Sequence, residues 1–414
     1  MRPLLFICLA VVALTARAQE LIARAPEGLP PSEVAQEWLL QDPGVQEAAS
    51  ELNDAAEEAA MLRGSPNEWN LRLASQQRRY DAGGPDSDEW EAQLERTMRL
   101  PNKRSLDRQL ADATVELAQA RHGEAMHEAA RDLVAVYTQW AGAVRARELM
   151  AEQVKFGEEN LRVVRLRHRA GDASTLEVNA IEADAAAIRG RLSAAETEER
   201  KALARLQIRF PDAHTFALPL AEPQPISEPE KVWQAHVLGT SDPLRIAQST
   251  LDLVELNSSR ASANRLPDPT IGVYTASEAN SSEDIIGLSV TIPIPGGYRN
   301  RQLGRALAQV GMARAARDRQ QRLMEIEVAE GYADATGNYE RWRLAEESAT
   351  KTRESARLTQ RAYTLGEVDL QTLLLSRRQA VEAVDAALAA RVMALQSYYR
   401  LLVDAHLVWG LEHS

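Results

Sequence analysis

The stretch "DIIGLSVTIPIPG", Asp284–Gly296, places an apolar residue at every second position: Ile286, Leu288, Val290, Ile292 and Ile294. A period of two marks a strand with one apolar and one polar face. The chain changes character straight after it. From Gly296 to Ser414 there is no proline, and Ala, Leu, Glu, Arg and Gln dominate. Proline costs a helix interior ~3 kcal/mol, so a proline-free run of strong helix formers reads as helix. A single two-faced strand feeding such a helix needs strand partners, and its apolar face needs something to touch.

Three further segments qualify as partners. In Glu89–Leu100, Trp90, Ala92, Leu94, Met98 and Leu100 share one face, with Arg96 the exception. In Asn67–Gln77, Trp69, Leu71 and Leu73 alternate with polar residues, and Thr270–Ala279 alternates less cleanly through Ile271 and Val273. The loops "DAGGPDSD" and "ANSSED" join the four strands as two hairpins.

These hairpins belong to an internal repeat. Asp42-Pro43 recurs as Asp242-Pro243, Pro101 as Pro295, Tyr137 as Tyr332, and Gly171 as Gly366. The first repeat covers 19–210, with a β-hairpin at 67–100 and a helical hairpin at 102–210. A linker at 211–226 leads to the second repeat at 227–414, with a β-hairpin at 270–294 and a helical hairpin at 297–410. The helical hairpins turn at Gly171 and Gly366, where glycine suits the left-handed end of a helix. Asp172 and Glu367 then suit the positive start of the next helix. At 1.5 Å per residue the long helices reach ~100 Å, far beyond an ordinary globular domain, so the expectation is a rod or tube.

Residues 1–18 read as a secretory leader: Arg2, an apolar run from Leu4 to Leu14, and the small-x-small site Ala16-Arg17-Ala18. Cys8, the only cysteine, lies inside it, which excludes a disulfide framework in the mature chain. The formal charge of −12 argues against nucleic acid as a partner. A secretory leader, no transmembrane helix and four strands of suitable length together favour a transmembrane β-barrel over a small soluble sheet. Four strands cannot enclose a lumen, so several copies must share one barrel. On that reading Trp90, Leu94, Met98, Ile286, Leu288, Val290 and Ile292 face lipid.

The chain resembles the TolC-like outer-membrane factor family, and within it the CzcC-like heavy-metal-efflux branch. The resemblance rests on "RLPDPTIGVY" (265–274), "GLSVTIPIPGGYRNRQ" (287–302), the paired Asp-Pro breaks and the two glycine turns. It implies a mainly α fold with a small β part. Long α-helical hairpins would form a periplasmic tube, and four strands per chain would contribute to a trimeric 12-stranded outer-membrane barrel. It implies a passive exit duct in the outer membrane of a Gram-negative bacterium, with a periplasmic extension. The implied partners are a periplasmic adaptor (membrane fusion protein), an inner-membrane transporter of the RND type, and outer-membrane lipid. Divalent heavy-metal cations are the implied cargo; drugs or other organic solutes are the alternative, and a periplasmic coiled-coil adaptor or scaffold is a further one.

The resemblance also implies an adaptor-contacting tip at Arg169, Ala170, Gly171, Asp172 and Ser174, and at Thr364, Leu365, Gly366, Glu367 and Asp369. Some members narrow the pore with aspartates just after the second turn. Here "DLQTLLLS" (369–376) has one carboxylate, so a constriction would involve Asp369, Gln371, Thr372 and Leu373. Packing between helices is the other reading of these leucines.

No residue pattern points to an enzyme, a cofactor or a tight metal site. The seven histidines are scattered, and His122 and His127 miss the i, i+4 spacing that puts two imidazoles on one helix face. The phosphate-binding GxxxxGK[ST] pattern, HExxH and GxSxG are all absent.

Overall fold

A computed structural model describes residues 26–79, 81, 83, 86–213 and 219–411. The leader expected at 1–18, His214 and His413 lie outside the described residues. The elements run α1 (Ser32–Leu40), α2 (Pro43–Arg63), β1 (Trp69–Arg78), β2 (Ser87–Thr97), α3 (Pro101–Ala170), α4 (Thr175–Arg209), then α5 (Glu230–Thr240), α6 (Asp242–Ala263), β3 (Thr270–Glu278), β4 (Glu283–Thr291), α7 (Gly297–Thr364) and α8 (Leu370–Asp404). The series helix, helix, strand, strand, long helix, helix thus occurs twice. No described helix is long and apolar enough to cross a membrane.

The breaks have local causes. Asp42 accepts the Gly44 amide at 2.8 Å, and Pro43 opens α2 where a missing N–H costs nothing. At the two long turns Gly171 and Gly366 have φ of +84° and +80°. The Asp172 amide donates to the Arg167 carbonyl at 2.9 Å, and Glu367 repeats this to Ala362 at 2.9 Å. Both are helix closures that need a left-handed residue. The following helices are not started by Asp172 and Glu367, as their charge suggested, because both amides are committed to the closures. Ser174 and Asp369 are the N-caps: Ser174 forms a capping box with Glu177, and Asp369 accepts the Thr372 amide at 2.7 Å.

The chain forms two compact units, and each draws on both repeats. Of the described residues, one comprises those within 26–47, 123–241 and 323–411, and the other those within 48–122 and 242–322. The first unit holds the larger core, centred on Leu133, Tyr137, Leu206, Phe210, Leu395 and Trp409. The indole of Trp409 is fully buried and donates to the Pro30 carbonyl at 2.9 Å.

The second unit holds a single antiparallel sheet in the order β1-β2-β3-β4. Sequence reading supplied the two hairpins; the β2–β3 pairing that merges them is an addition from the structure. Met98 lies past the end of β2, and Ile292 and Ile294 lie past the end of β4. Pro293 and Pro295 explain the second limit, because neither has an amide to offer a ladder.

Candidate functional site

The sheet presents an apolar face across all four strands. Leu71, Leu94, Val273 and Leu288 form one row in register, with Trp69, Arg96, Ile271 and Val290 beside it and Leu73, Ala92, Thr275 and Ile286 on the other side. The large apolar side chains on it run from 39% exposed at Leu94 to 87% at Ile286, so none of the described residues covers them. Trp90, Met98 and Ile292 are also exposed. Arg96, the one charge in the rows, is held locally: its Nε donates to the Asn67 carbonyl at 3.0 Å and its guanidinium lies over the Trp69 ring.

The opposite face is polar and cross-linked. Gln93 donates to the Ser289 hydroxyl at 3.1 Å, Gln76 to Glu89 at 2.8 Å, and Thr97 pairs with Thr270 at 2.8 Å. Gly287 has no side chain here because the Tyr274 ring lies over its backbone.

A buried charge cluster ties this sheet to its helices. Asp107 of α3 receives Arg99 at 2.6 Å and Arg260 of α6 at 2.5 Å. Arg99 also donates to the Leu62 carbonyl at 3.0 Å, which brings in the end of α2. Lys103, 1% exposed, pairs with Asp268 at 3.0 Å, and Asp268 accepts the Leu100 amide at 2.9 Å. Strand exits and helix starts are therefore locked in angle by short, largely buried bonds. The sequence hints at this cluster only by placing charges beside the prolines in "RLPNKRSLD" and "RLPDP".

In the first unit the two glycine turns come together. Arg167 donates to the Tyr363 hydroxyl at 3.0 Å and lies over its ring. Val164, Ala173, Ile181, Tyr363, Leu370 and Leu373 form a small core beneath them. Arg169, Ala170, Gly171, Asp172, Ser174, Thr364, Leu365, Gly366, Glu367 and Asp369 are all exposed. Of the residues considered for a constriction, Gln371 and Thr372 are exposed and Leu373 is 1% exposed. Leu373 is a seam residue between helices, because the core under the turns needs an apolar group at that position. Asp369 is engaged at its own helix start, where the Thr372 amide and hydroxyl hold its carboxyl below the usual range.

The same unit contains a charge network invisible in the sequence. Asp404 of α8 receives Arg131 of α3 at 2.7 Å and faces His127 at 3.4 Å. His127 also lies 3.6 Å from Glu124, and Arg131 reaches Glu327 of α7 at 3.0 Å. Burial works against a charged His127, but Asp404 and Glu124 outweigh it and raise its pKa to about 9. Burial likewise works against the Asp404 carboxylate, and His127 and Arg131 reverse that and hold it below its ordinary value. Glu124, His127 and Glu128 bring three donor atoms within 4.8 Å of one another. Arg131, bonded to Glu128 at 2.9 Å, competes with any cation there.

A mainly helical chain with long hairpins and a four-stranded sheet, apolar on one face, has the fold of the outer-membrane channels. The crystal structure of CusC superposes with a TM-score of 0.72 at 14% identity, covering 92% of this chain and 97% of CusC. The CmeC outer membrane channel of Campylobacter jejuni gives 0.71 at 14% identity, covering 91% and 85%. The outer membrane protein VceC of Vibrio cholerae gives 0.70 at 17% identity, covering 94% and 96%. Residues 250–403 match the family model for the outer membrane efflux protein. The nickel-cobalt-cadmium resistance protein NccC of Alcaligenes xylosoxydans xylosoxydans is 24% identical over 300 residues, 71% of this chain and 68% of NccC. The fold is shared with these solved outer-membrane channels.

Proposed function

We propose that this protein is the outer-membrane exit duct of a tripartite efflux system, and that it works as a homotrimer. One observation carries the reading: a sheet whose apolar face, four strands wide, is uncovered by any described residue, and whose edge strands β1 and β4 each pair on one side only among the described residues. In water such a face and such edges invite aggregation. In lipid the face is at home, and the edges are satisfied when β4 of one copy pairs with β1 of the next. Three copies give ~12 strands, a size known for outer-membrane barrels. The polar face, with Gln93, Ser289 and Tyr274, then lines water.

The duct carries out no chemistry and supplies no energy. An inner-membrane transporter of the RND type drives the cargo, and a periplasmic adaptor bridges to the exposed turns at Gly171 and Gly366. Asp369, Gln371 and Thr372 would border the opening at that end. Divalent heavy-metal cations are the proposed cargo, supported by the similarity to NccC, whose name specifies nickel, cobalt and cadmium. A passive path needs no tight site for them, since it must release what it passes. Deleting the gene should lower tolerance to nickel, cobalt, cadmium or zinc while leaving a drug panel unchanged. Loss of drug tolerance alone would overturn the metal reading, and release of the protein from membranes by high salt would overturn the channel reading.

A further inference from the structure

The helices that flank the two edge strands carry opposite, unused charge. α2 leads into β1, and over its last four turns it has Glu51, Asp54, Glu57 and Glu58, against Arg63 alone. Arg63 is already paired with Asp112 at 2.6 Å. α7 leads out of β4, and between Gly297 and Arg322 it has seven arginines and one aspartate in a chain whose net charge is −12. Arg314 pairs with Glu255 at 3.0 Å, whereas no described group pairs with Arg301, Arg305 or Arg319. Glu51, Asp54, Glu58, Arg301, Arg305 and Arg319 are all exposed.

The spacing makes each set a stripe. Glu51, Asp54 and Glu58 follow i, i+3, i+7, which is one helix face. Arg301, Arg305, Met312 and Arg319 follow i, i+4, i+11, i+18, again one face, and Met312 is 72% exposed in its middle. Distances from the sheet also match. Counting 1.5 Å per residue from the sheet-proximal helix end, Glu58 and Asp54 lie ~8 and ~14 Å along α2, and Arg301 and Arg305 lie ~6 and ~12 Å along α7.

We infer that α2 of one copy docks along α7 of the next, with Glu58 meeting Arg301 and Asp54 meeting Arg305. This deepens the proposed trimer and rests on it, because pairing β4 with a neighbour's β1 brings those two helices side by side. The second copy is the occupant for two reasons: the acidic and basic stripes belong to the same chain, and they sit next to the two strand edges that must meet. The clasp gives the assembly its order. Like-charge stripes, α2 on α2 or α7 on α7, repel, so only head-to-tail addition around the ring is favoured.

The test uses the full chain in isolated membranes. A variant with Asp54→Cys and Arg305→Cys, treated with a short bismaleimide, should yield covalent dimers and trimers on denaturing gels, and neither single variant should. In parallel, Asp54→Lys with Glu58→Lys should lower the yield of gel-stable trimer about tenfold, as should Arg301→Glu with Arg305→Glu. Combining all four substitutions should restore it. If the unmodified protein forms trimers but the cysteine pair links nothing, or links only within one chain, the clasp is wrong and the trimer stands. If the unmodified protein is not a trimer, both fail together.

Discussion

Leu94 of β2 lies directly opposite Val273 of β3, and this pair welds the hairpins of two different repeats into one sheet. It completes the row Leu71–Leu94–Val273–Leu288, which no described residue covers. Everything proposed about the membrane follows from that row.

Charge should therefore be tolerated on one face of β4 and not on the other. Leu288→Arg places a guanidinium on the apolar face, which costs ~2–4 kcal/mol near the middle of a bilayer. Its trimer yield in membranes should fall sharply. Ser289→Arg, one residue on, should assemble close to normally. Equal yields for the two variants would contradict the assignment of faces.

Asp107 should be the most sensitive charge beneath the sheet. Arg99 and Arg260 both end on it, and its side chain is 6% exposed. Asp107→Ala strands two guanidinium groups, a change on the order of 3–5 kcal/mol for a buried pair. Thermal unfolding followed by helical circular dichroism should show a clear loss, with partial recovery in Asp107→Glu. An unchanged melting temperature would mean the cluster is better hydrated than its geometry implies.

The contrast between legible and hidden features has a physical basis. β4 was readable because alternation is a local signal, and the turns at Gly171 and Gly366 because a left-handed helix end favours glycine. The Leu94–Val273 pairing was not readable, since no local rule links strands that far apart in the chain. Asp107 and His127 share that limit: their partners come from other helices, and a charged residue on a helix looks solvated until the neighbour arrives. At the turns, negative charge suited Asp172 and Glu367 to the positive starts of the next helices, but closure of the preceding helix uses their amides and moves the caps to Ser174 and Asp369. Leu373 was readable either as a constriction or as a seam; only the packing of α3, α4 and α8 around it places it in the seam.

The His127–Asp404 pair should make stability depend on pH above neutrality. A histidine whose folded pKa is raised from 6.5 to about 9 stabilises the fold fully below 6.5, and the contribution is lost as pH rises toward 9. The shift corresponds to on the order of 3 kcal/mol. Asp404, depressed in the folded state, adds stability that is kept above its ordinary value near 3.8 and lost only on acidification below it. Melting temperature should thus fall between pH 6.5 and 9 in the wild type, and His127→Gln should flatten that slope. A wild-type curve that is level over this range would contradict the charged histidine.

The exposed turns should matter for transport and not for assembly. Asp172→Arg with Glu367→Arg changes two surface charges and touches neither the core under the turns nor the closures, which use backbone amides. Trimer yield should stay normal while metal tolerance drops toward that of the deletion strain. Full tolerance with this variant would argue against adaptor contact at the turns.

The central claim, that lipid covers the apolar face of the sheet, is tested most directly at two adjacent positions. Leu288→Cys and Ser289→Cys, each carrying a small thiol-reactive fluorophore, can be compared in bilayers whose acyl chains are brominated. Strong quenching at position 288 and little at 289 is the predicted result. Equal quenching at both, or none at 288, would contradict it.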